Sequence, residues 1–237
     1  MQYSMGTMQW DVFMTRIADL LFPLRCIGCG TQRVALCDAC IAAAPRAPAA
    51  CPGCGAPIRF GAPCTRCRAR THLDALSAPW RFDGIAASAV RALKYRNARD
   101  IAAVLGDVLT RSCPSQYLVS NPLLVAVPMH PTRLKSRGTN HAALIADRVT
   151  ARTLMENAHH ALARVRATSA QAKMHHRAER LDNMRGAFAC PDASVVHDRD
   201  IVLIDDVYTT GATLQDCARA LKEAGARHVF GLVVARD

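Results

Sequence analysis

Two acids side by side, Asp205 and Asp206, end the apolar run Val202-Leu203-Ile204 and lead into Val207-Tyr208-Thr209-Thr210-Gly211-Ala212-Thr213. Each part of this stretch has a chemical use. Adjacent carboxylates at the end of a strand can accept hydrogen bonds from sugar hydroxyls. Thr209, Thr210 and Thr213 bring hydroxyl donors, Gly211 lets the backbone approach a ligand, and amides at a helix start attract an anion. The order predicts a phosphate cradle over Thr209, Thr210, Gly211, Ala212 and Thr213, with the acid pair beside it. A solvated acid pair capping a helix is the ordinary alternative. The full succession of strand, two acids, Thr/Gly loop and helix is more restrictive than that alternative requires. The chain has no Gly-x-x-x-x-Gly-Lys-Ser/Thr and no strand followed by Gly-x-Gly-x-x-Gly, so the nucleoside-triphosphate and dinucleotide fingerprints are missing.

The second constellation is cysteine. Eight of 11 cysteines form Cys-x-x-Cys pairs: Cys26/Cys29, Cys37/Cys40, Cys51/Cys54 and Cys64/Cys67. Two intervening residues let both sulfurs of a tight knuckle face one ion, and two knuckles complete a tetrahedron. The expected metal is zinc, two ions in all, rather than an iron–sulfur cluster or a redox disulfide. With four sulfurs at each ion no position is left open, so the metal is structural. Pairing in sequence order (26/29/37/40 and 51/54/64/67) is the simplest assignment. The gaps of seven and nine residues between knuckles are short for a ribbon, which leaves an interleaved arrangement open. Cys113, Cys190 and Cys217 fall outside the pattern and read as packing residues.

These groups need elements to position them. Leu123–Val127, Ile201–Ile204 and Val229–Val234 are continuous apolar runs of strand length, which suits strands covered on both faces. Between them lie helical patterns over Ala86–Lys94, Ile101–Leu109 and Asn140–Leu154, and Leu214, Cys217, Ala218 and Leu221 recur at helical spacing with Gly225 placed to stop that helix. Strand and helix in alternation predict an open α/β fold with a mainly parallel sheet. Residues 1–75 form the expected cysteine module with an amphipathic N-terminal helix over Trp10–Phe22; residues 76–237 form the α/β domain, and 68–78 read as a connection.

The 237 residues are 51% apolar and carry 30 Lys/Arg against 19 Asp/Glu, a formal charge of +11. Two zinc tetrathiolates, each at −2, would bring this to +7 and leave the cysteine module neutral. The surplus then sits in the second domain, in Arg91/Lys94/Arg96/Arg99, Arg133/Lys135/Arg137 and Arg164/Arg166/Lys173/Arg177/Arg180/Arg185. Cations grouped beside a phosphate motif predict a polyanionic ligand. Single-stranded nucleic acid would want stacking aromatics as well, and only Tyr95, Trp80 and Tyr208 are available, with Trp80 read as core. The pairs His159/His160 and His175/His176 lack a trusted metal spacing and read as surface residues. No apolar run reaches the ~18 residues that span a bilayer, and no signal-peptide core is present, so a cytoplasmic protein without an integral membrane segment is expected.

The acid pair and phosphate loop resemble the signature of the type I phosphoribosyltransferases. More closely, the chain is similar to the ComF/GntX family of competence-associated proteins, through the double cysteine knuckles, Ala92-Leu93-Lys94-Tyr95, Val127-Pro128-Met129-His130-Pro131, the segment Arg133–Asn140, Arg164-Val165-Arg166-Ala167-Thr168, Gln171 and the stretch Arg180–Phe188. Family members usually carry Phe at 139 and Gln at 141, where this chain has Thr139 and His141. The resemblance implies a ligand, phosphoribosyl pyrophosphate carried with Mg²⁺. Its 5-phosphate would lie on Thr209–Thr213 and its ribose hydroxyls on Asp205 and Asp206, the pair at the reaction centre. Its pyrophosphate would lie near Met129, His130, Lys94 and Arg137, with Arg164 and Arg166 opening a loop that closes over the sugar. It also implies a phosphoribosyltransferase linked to competence, DNA uptake and transformation. The alternative is a non-catalytic adaptor of the competence machinery that binds single-stranded DNA and competence proteins. The chain stops at Asp237 just after the last strand, no C-terminal hood is expected, and no set of residues reads an acceptor base.

Overall fold

The computed structural model describes residues 24–93, 98–166 and 184–237. The expected helix over Trp10–Phe22, the basic residues Lys94 and Arg96 with Tyr95, and the loop segment with Gln171, Lys173, His175/His176, Arg177 and Arg180 lie outside the described residues.

The chain is a mixed α/β structure with a mainly parallel sheet and an N-terminal pair of cysteine ribbons. The elements are α1 (Asp38–Ala43), β1 (Ala75–Ser77), β2 (Trp80–Arg81), α2 (Gly84–Ala92), α3 (Ala98–Ser112), β3 (Leu123–Ala126), α4 (Pro131–Arg137), α5 (His141–Thr150), β4 (Glu156–Asn157), β5 (Ala163–Arg164), β6 (Phe188–Ala189), β7 (Asp200–Tyr208), α6 (Ala212–Glu223) and β8 (His228–Arg236). The large sheet has the order β1-β8-β7-β3-β4, with β2 also on β8, and every ladder in it is parallel. β1 and β2 meet β8 at one register, Ala75 opposite Phe230 and Trp80 opposite Ala235, so they are two halves of one interrupted edge strand. β5 and β6 form a separate antiparallel pair.

The buried apolar residues of β3 and β7 alternate between two cores. Leu124, Ala126, Val202 and Ile204 join α2, α3 and α5 on one face; Leu123, Val125, Ile201 and Leu203 join α6 on the other. That two-sided burial is why these strands are apolar at every position rather than at every second one. α6 stops as expected. Gly225 takes a left-handed φ of 92°, its amide reaches the Lys222 carbonyl at 3.0 Å, and the Ala226 amide reaches Leu221 at 3.0 Å, a reciprocal pair that ends a helix.

The stretch read as a connection, 68–78, contains β1 instead. Three residues carry no periodicity of their own, and their strand geometry comes from β8 beside them. The ribbons are not a detached appendage. Cys26, Ala35, Leu36 and Ala44 lie in the same buried cluster as Trp80 and Val90, so the first ribbon shares the α/β core. Trp80 is fully enclosed, as a core reading requires. His159 departs from the surface reading: its Nδ1 accepts the Ala126 amide at 3.2 Å, continuing the ladder where β4 has ended, and its Nε2 lies 3.2 Å from Asp147.

Strand order places the site. From β3 the chain runs outward to β4; from β7 it runs the opposite way to β8. The carboxyl ends of β3 and β7 therefore diverge, and the cleft between them is where open α/β sheets bind ligands.

Candidate functional site

β3 and β7 pair only as far as Ala126 opposite Ile204, with a last bond from the Val127 amide to the Ile204 carbonyl at 2.9 Å. Pro128 has no amide to donate, and the chain turns away there. β7 continues through Tyr208 with β8 on one side and a notch on the other. Asp205 and Asp206 thus sit inside a long strand, not after its end. In the notch the Asp206 amide donates to Asp205 Oδ1 at 2.9 Å and the Val207 amide donates to Asp206 Oδ1 at 2.7 Å. Burial, and then the neighbouring Asp206 charge, push the Asp205 carboxyl well above its ordinary range.

An open hollow of about 150 Å³ occupies the notch. Asp205, Asp206 and Thr213 form one wall, Met129 and Asn140 another, and Arg133, Arg137 and Arg164 supply three cations. Asn140 builds two elements at once. Its Nδ2 donates to the Val127 carbonyl at 3.0 Å, fixing the turn after β3, and its Oδ1 accepts the Ala142 amide at 3.2 Å, capping α5. α4 begins with Pro131, is capped by His130 Nδ1 on the Thr132 amide at 3.3 Å, and ends at Gly138 with φ 75°. Those two caps hold Arg133 and Arg137 on a short helix over the hollow. Arg164 reaches it from β5, its guanidinium 5.4 Å from the Phe188 ring. Burial and the Arg133 charge lower its pKa, while Asp205 and the buried Cys217 thiol oppose that.

A smaller hollow of about 40 Å³ adjoins, shaped by the backbone from Val207 to Leu214. Gly211 has φ 80°, and the first-turn amides of α6 have no acceptor within the helix. Asp205 borders both hollows, which makes them two parts of one site.

The structure therefore gathers Asp205, Asp206, the Thr209–Thr213 loop, Met129, Arg137 and Arg164 around one cleft. It does not bring in His130, whose ring caps α4, or Arg166, whose guanidinium donates to the Arg185 carbonyl at 2.6 Å. Lys94 lies outside the described residues. Arg133 appeared in sequence as one cation of a cluster and as the start of the family-like segment Arg133–Asn140, without a role of its own. Asn140 appeared in sequence as the end of the family-like segment Arg133–Asn140 and the start of a helical pattern, without a role at the site, and the buried His141 only as a departure from the usual Gln. Tyr208 is withdrawn from the stacking candidates, because it is buried with its hydroxyl donated to the Pro52 carbonyl.

The cysteines settle into two sets, Cys26/Cys29/Cys37/Cys40 and Cys51/Cys54/Cys64/Cys67, all sulfurs of a set within 4.8 Å of one another. This is pairing in sequence order, not interleaved. The distances Cys26–Cys37, Cys29–Cys37 and Cys54–Cys64 are 3.7, 3.6 and 3.8 Å, close to the roughly 3.8 Å edge of a tetrahedron about an ion 2.3 Å from each sulfur. Backbone amides prepare the thiolates: Cys37 donates to Cys26 Sγ at 3.4 Å, and Gly53 and Cys64 donate to Cys51 Sγ at 3.3 Å. Burial raises the pKa of Cys26 and Cys51, but these amides outweigh it and bring both down to about 6. Crowding by the other sulfurs pushes Cys40 and Cys67 up to about 12, a penalty that a divalent cation removes. Both sets fit structural zinc.

Among known proteins, a double zinc ribbon domain is recognised over residues 17–68. The chain is 29% identical to competence protein ComFC of Bacillus subtilis over 182 residues, 74% of this chain and 72% of that one. It is 28% identical to the DNA utilization protein YhgH of Salmonella typhimurium (82% and 87% covered) and 24% identical to competence protein F of Haemophilus influenzae (88% and 95%). Among the described residues no helix is long and apolar enough to cross a membrane. The chain is accordingly a double-zinc-ribbon α/β protein homologous, over most of its length, to the proteins named ComFC, competence protein F and YhgH.

Proposed function

We propose that this protein binds phosphoribosyl pyrophosphate with Mg²⁺ in the cleft between β3 and β7, and serves a phosphoribosyltransferase-like role in competence or DNA utilisation. The observation that carries the reading is one cleft lined by two adjacent carboxylates, three arginines and a helix start behind a Thr/Gly loop. A 5-phosphate suits the Thr209–Thr213 loop, where amides and hydroxyls donate without competing for a helical acceptor. Ribose hydroxyls suit Asp205 and Asp206, which keep acceptor lone pairs after taking one backbone amide each. A pyrophosphate suits Arg133, Arg137 and Arg164 across the hollow. Bound Mg²⁺, held chiefly by the ligand's phosphates with a carboxylate of the pair, would neutralise charge on the leaving group.

Given an acceptor, its nucleophilic atom bonds to C1 as the C1–O bond to pyrophosphate breaks, and pyrophosphate leaves with the electron pair. The chain's part is to hold C1 between acid pair and arginines, and to meet the departing charge with fixed cations. The relatives' names, competence protein and DNA utilization protein, support the biological setting and DNA or competence proteins as partners. They also favour a second reading, an adaptor that binds single-stranded DNA with the sugar phosphate as regulator. That reading requires an affinity for single strands that falls steeply with salt, and no binding at low salt ends it.

The test is calorimetry of zinc-loaded protein with phosphoribosyl pyrophosphate and Mg²⁺. Binding is expected, and Asp205→Asn combined with Asp206→Asn should weaken it by about 100-fold, or roughly 2.7 kcal/mol. Equal affinity in the double variant, with an intact fold by circular dichroism, rejects the assignment. Pyrophosphate release across candidate acceptors then separates transferase from binder.

A further inference from the structure

The second ribbon is joined to both ends of the phosphate loop. At the entry, Tyr208 is the last residue of β7 and is buried; its hydroxyl donates to the carbonyl of Pro52, between the zinc-set residues Cys51 and Cys54. The same ring lies against Gly211. A Cβ at Gly211 would fall 2.5 Å from Tyr208 Cζ, so the tight turn of the loop is shaped around this ring. At the exit, Gln215 in α6 donates from Nε2 to Thr71 Oγ1 at 2.6 Å and accepts the His72 amide at 2.9 Å, a few residues after Cys67. Arg236, opposite Tyr208 in β8, donates to the Ala50 carbonyl at 3.3 Å. The first ribbon has a different seat, with Cys37 and Cys40 packed on the core and Gly28 close to Ile85 of α2.

We propose that Tyr208 and Gln215 are positioning residues that couple the second tetracysteine site, but not the first, to the phosphate loop. This rests on the sugar-phosphate reading above. Zinc at Cys51/Cys54/Cys64/Cys67 holds the Pro52 carbonyl and the Thr71–His72 segment in place; those hold Tyr208 and Gln215, and they in turn hold the loop amides at the spacing a phosphate needs. Coupling is reciprocal, so a ligand on the loop must tighten the equilibrium affinity of that site for zinc by the factor by which zinc improves ligand affinity.

The experiment titrates a zinc-selective chelator to equilibrium against the two-zinc protein with and without phosphoribosyl pyrophosphate and Mg²⁺, following bound zinc and cysteine alkylation by mass spectrometry. In wild type the ligand should raise about tenfold the free chelator concentration needed to remove one equivalent, and protect Cys51, Cys54, Cys64 and Cys67, leaving the first set unaffected. Tyr208→Phe keeps the ring beneath Gly211 and removes only the hydroxyl. It should retain two zincs, bind the ligand about tenfold more weakly and lose most of the protection. Gln215→Ala should act in the same direction. Ligand binding in wild type without selective protection of the second set overturns the coupling and leaves the proposed site standing. No binding in wild type removes both.

Discussion

Asp200 and Asp205 occupy opposite parts of β7, and their surroundings push their acidities in opposite directions. Asp200, at the amino end, accepts from Arg227 Nε at 2.8 Å, from His228 Nδ1 at 2.9 Å and from the Ser120 hydroxyl. Burial alone would raise its pKa, but these donors lower it well below the usual carboxylate range. A depressed folded value adds stability above the unfolded pKa of about 4, which is lost as pH falls through the folded one. Asp200→Asn should therefore cost about 2 kcal/mol at pH 7, seen as a Tm lower by roughly 4–8 °C, with the gap narrowing in acid. Asp205 has the opposite sign. Its folded form holds the proton more tightly, so stability declines as pH rises from about 4 through the raised value. Asp205→Asn alone should raise the Tm of the ligand-free protein by a few degrees at pH 7, about 1 kcal/mol, and gain nothing near pH 4. A lower Tm at pH 7 would contradict a carboxylate kept for binding at a cost in stability.

At the scale of elements, the amino-terminal half of α6 serves the cleft twice. Its start carries the phosphate loop, and further along it the buried Asp216 accepts the amides of Gly186, Ala187 and Phe188 at 2.9, 2.8 and 3.1 Å while also accepting from Arg219 Nε at 2.8 Å. Those amides lead into β6, which pairs with Arg164 of the cleft. Asp216→Asn replaces an acceptor with a donor facing this group and should cost about 2–3 kcal/mol. Faster hydrogen exchange at 186–188 than at the buried amides of β7 would locate the loss; unchanged exchange would refute the clamp. These elements are unevenly legible in the sequence. β3, β7 and β8 were legible because burial on both faces leaves continuous apolar runs, and the end of α6 because Gly225 serves one geometry. β1, β2 and β4 were not, since two or three residues have no period. The acid pair and loop were legible because a strand, a turn and a helix start are contiguous in sequence. Asn140 and Arg133 were not identified as site residues, because what brings them to Asp205 is the opposite direction of the chain after β3 and β7.

Over the whole molecule, two sets of four cysteines predict two zinc ions per chain in native mass spectrometry and a net charge nearer +7 than the formal +11. The Tyr208–Pro52 contact, 156 residues apart in sequence, was beyond any local pattern. The same is true of the backbone seam along β2, where Ala47 donates to the Pro79 carbonyl at 3.2 Å, Arg81 donates to Pro45 at 2.8 Å and Arg46 bridges Trp80. Along that seam, the segment joining the two ribbons runs antiparallel to the sheet's outermost strand and occupies hydrogen-bonding groups that would otherwise face water. Stripping the metal would thus do more than loosen a small module: it would bare a strand margin able to template pairing with other chains. Demetallated protein should accordingly self-associate in a concentration-dependent way, visible by light scattering, before its helices melt.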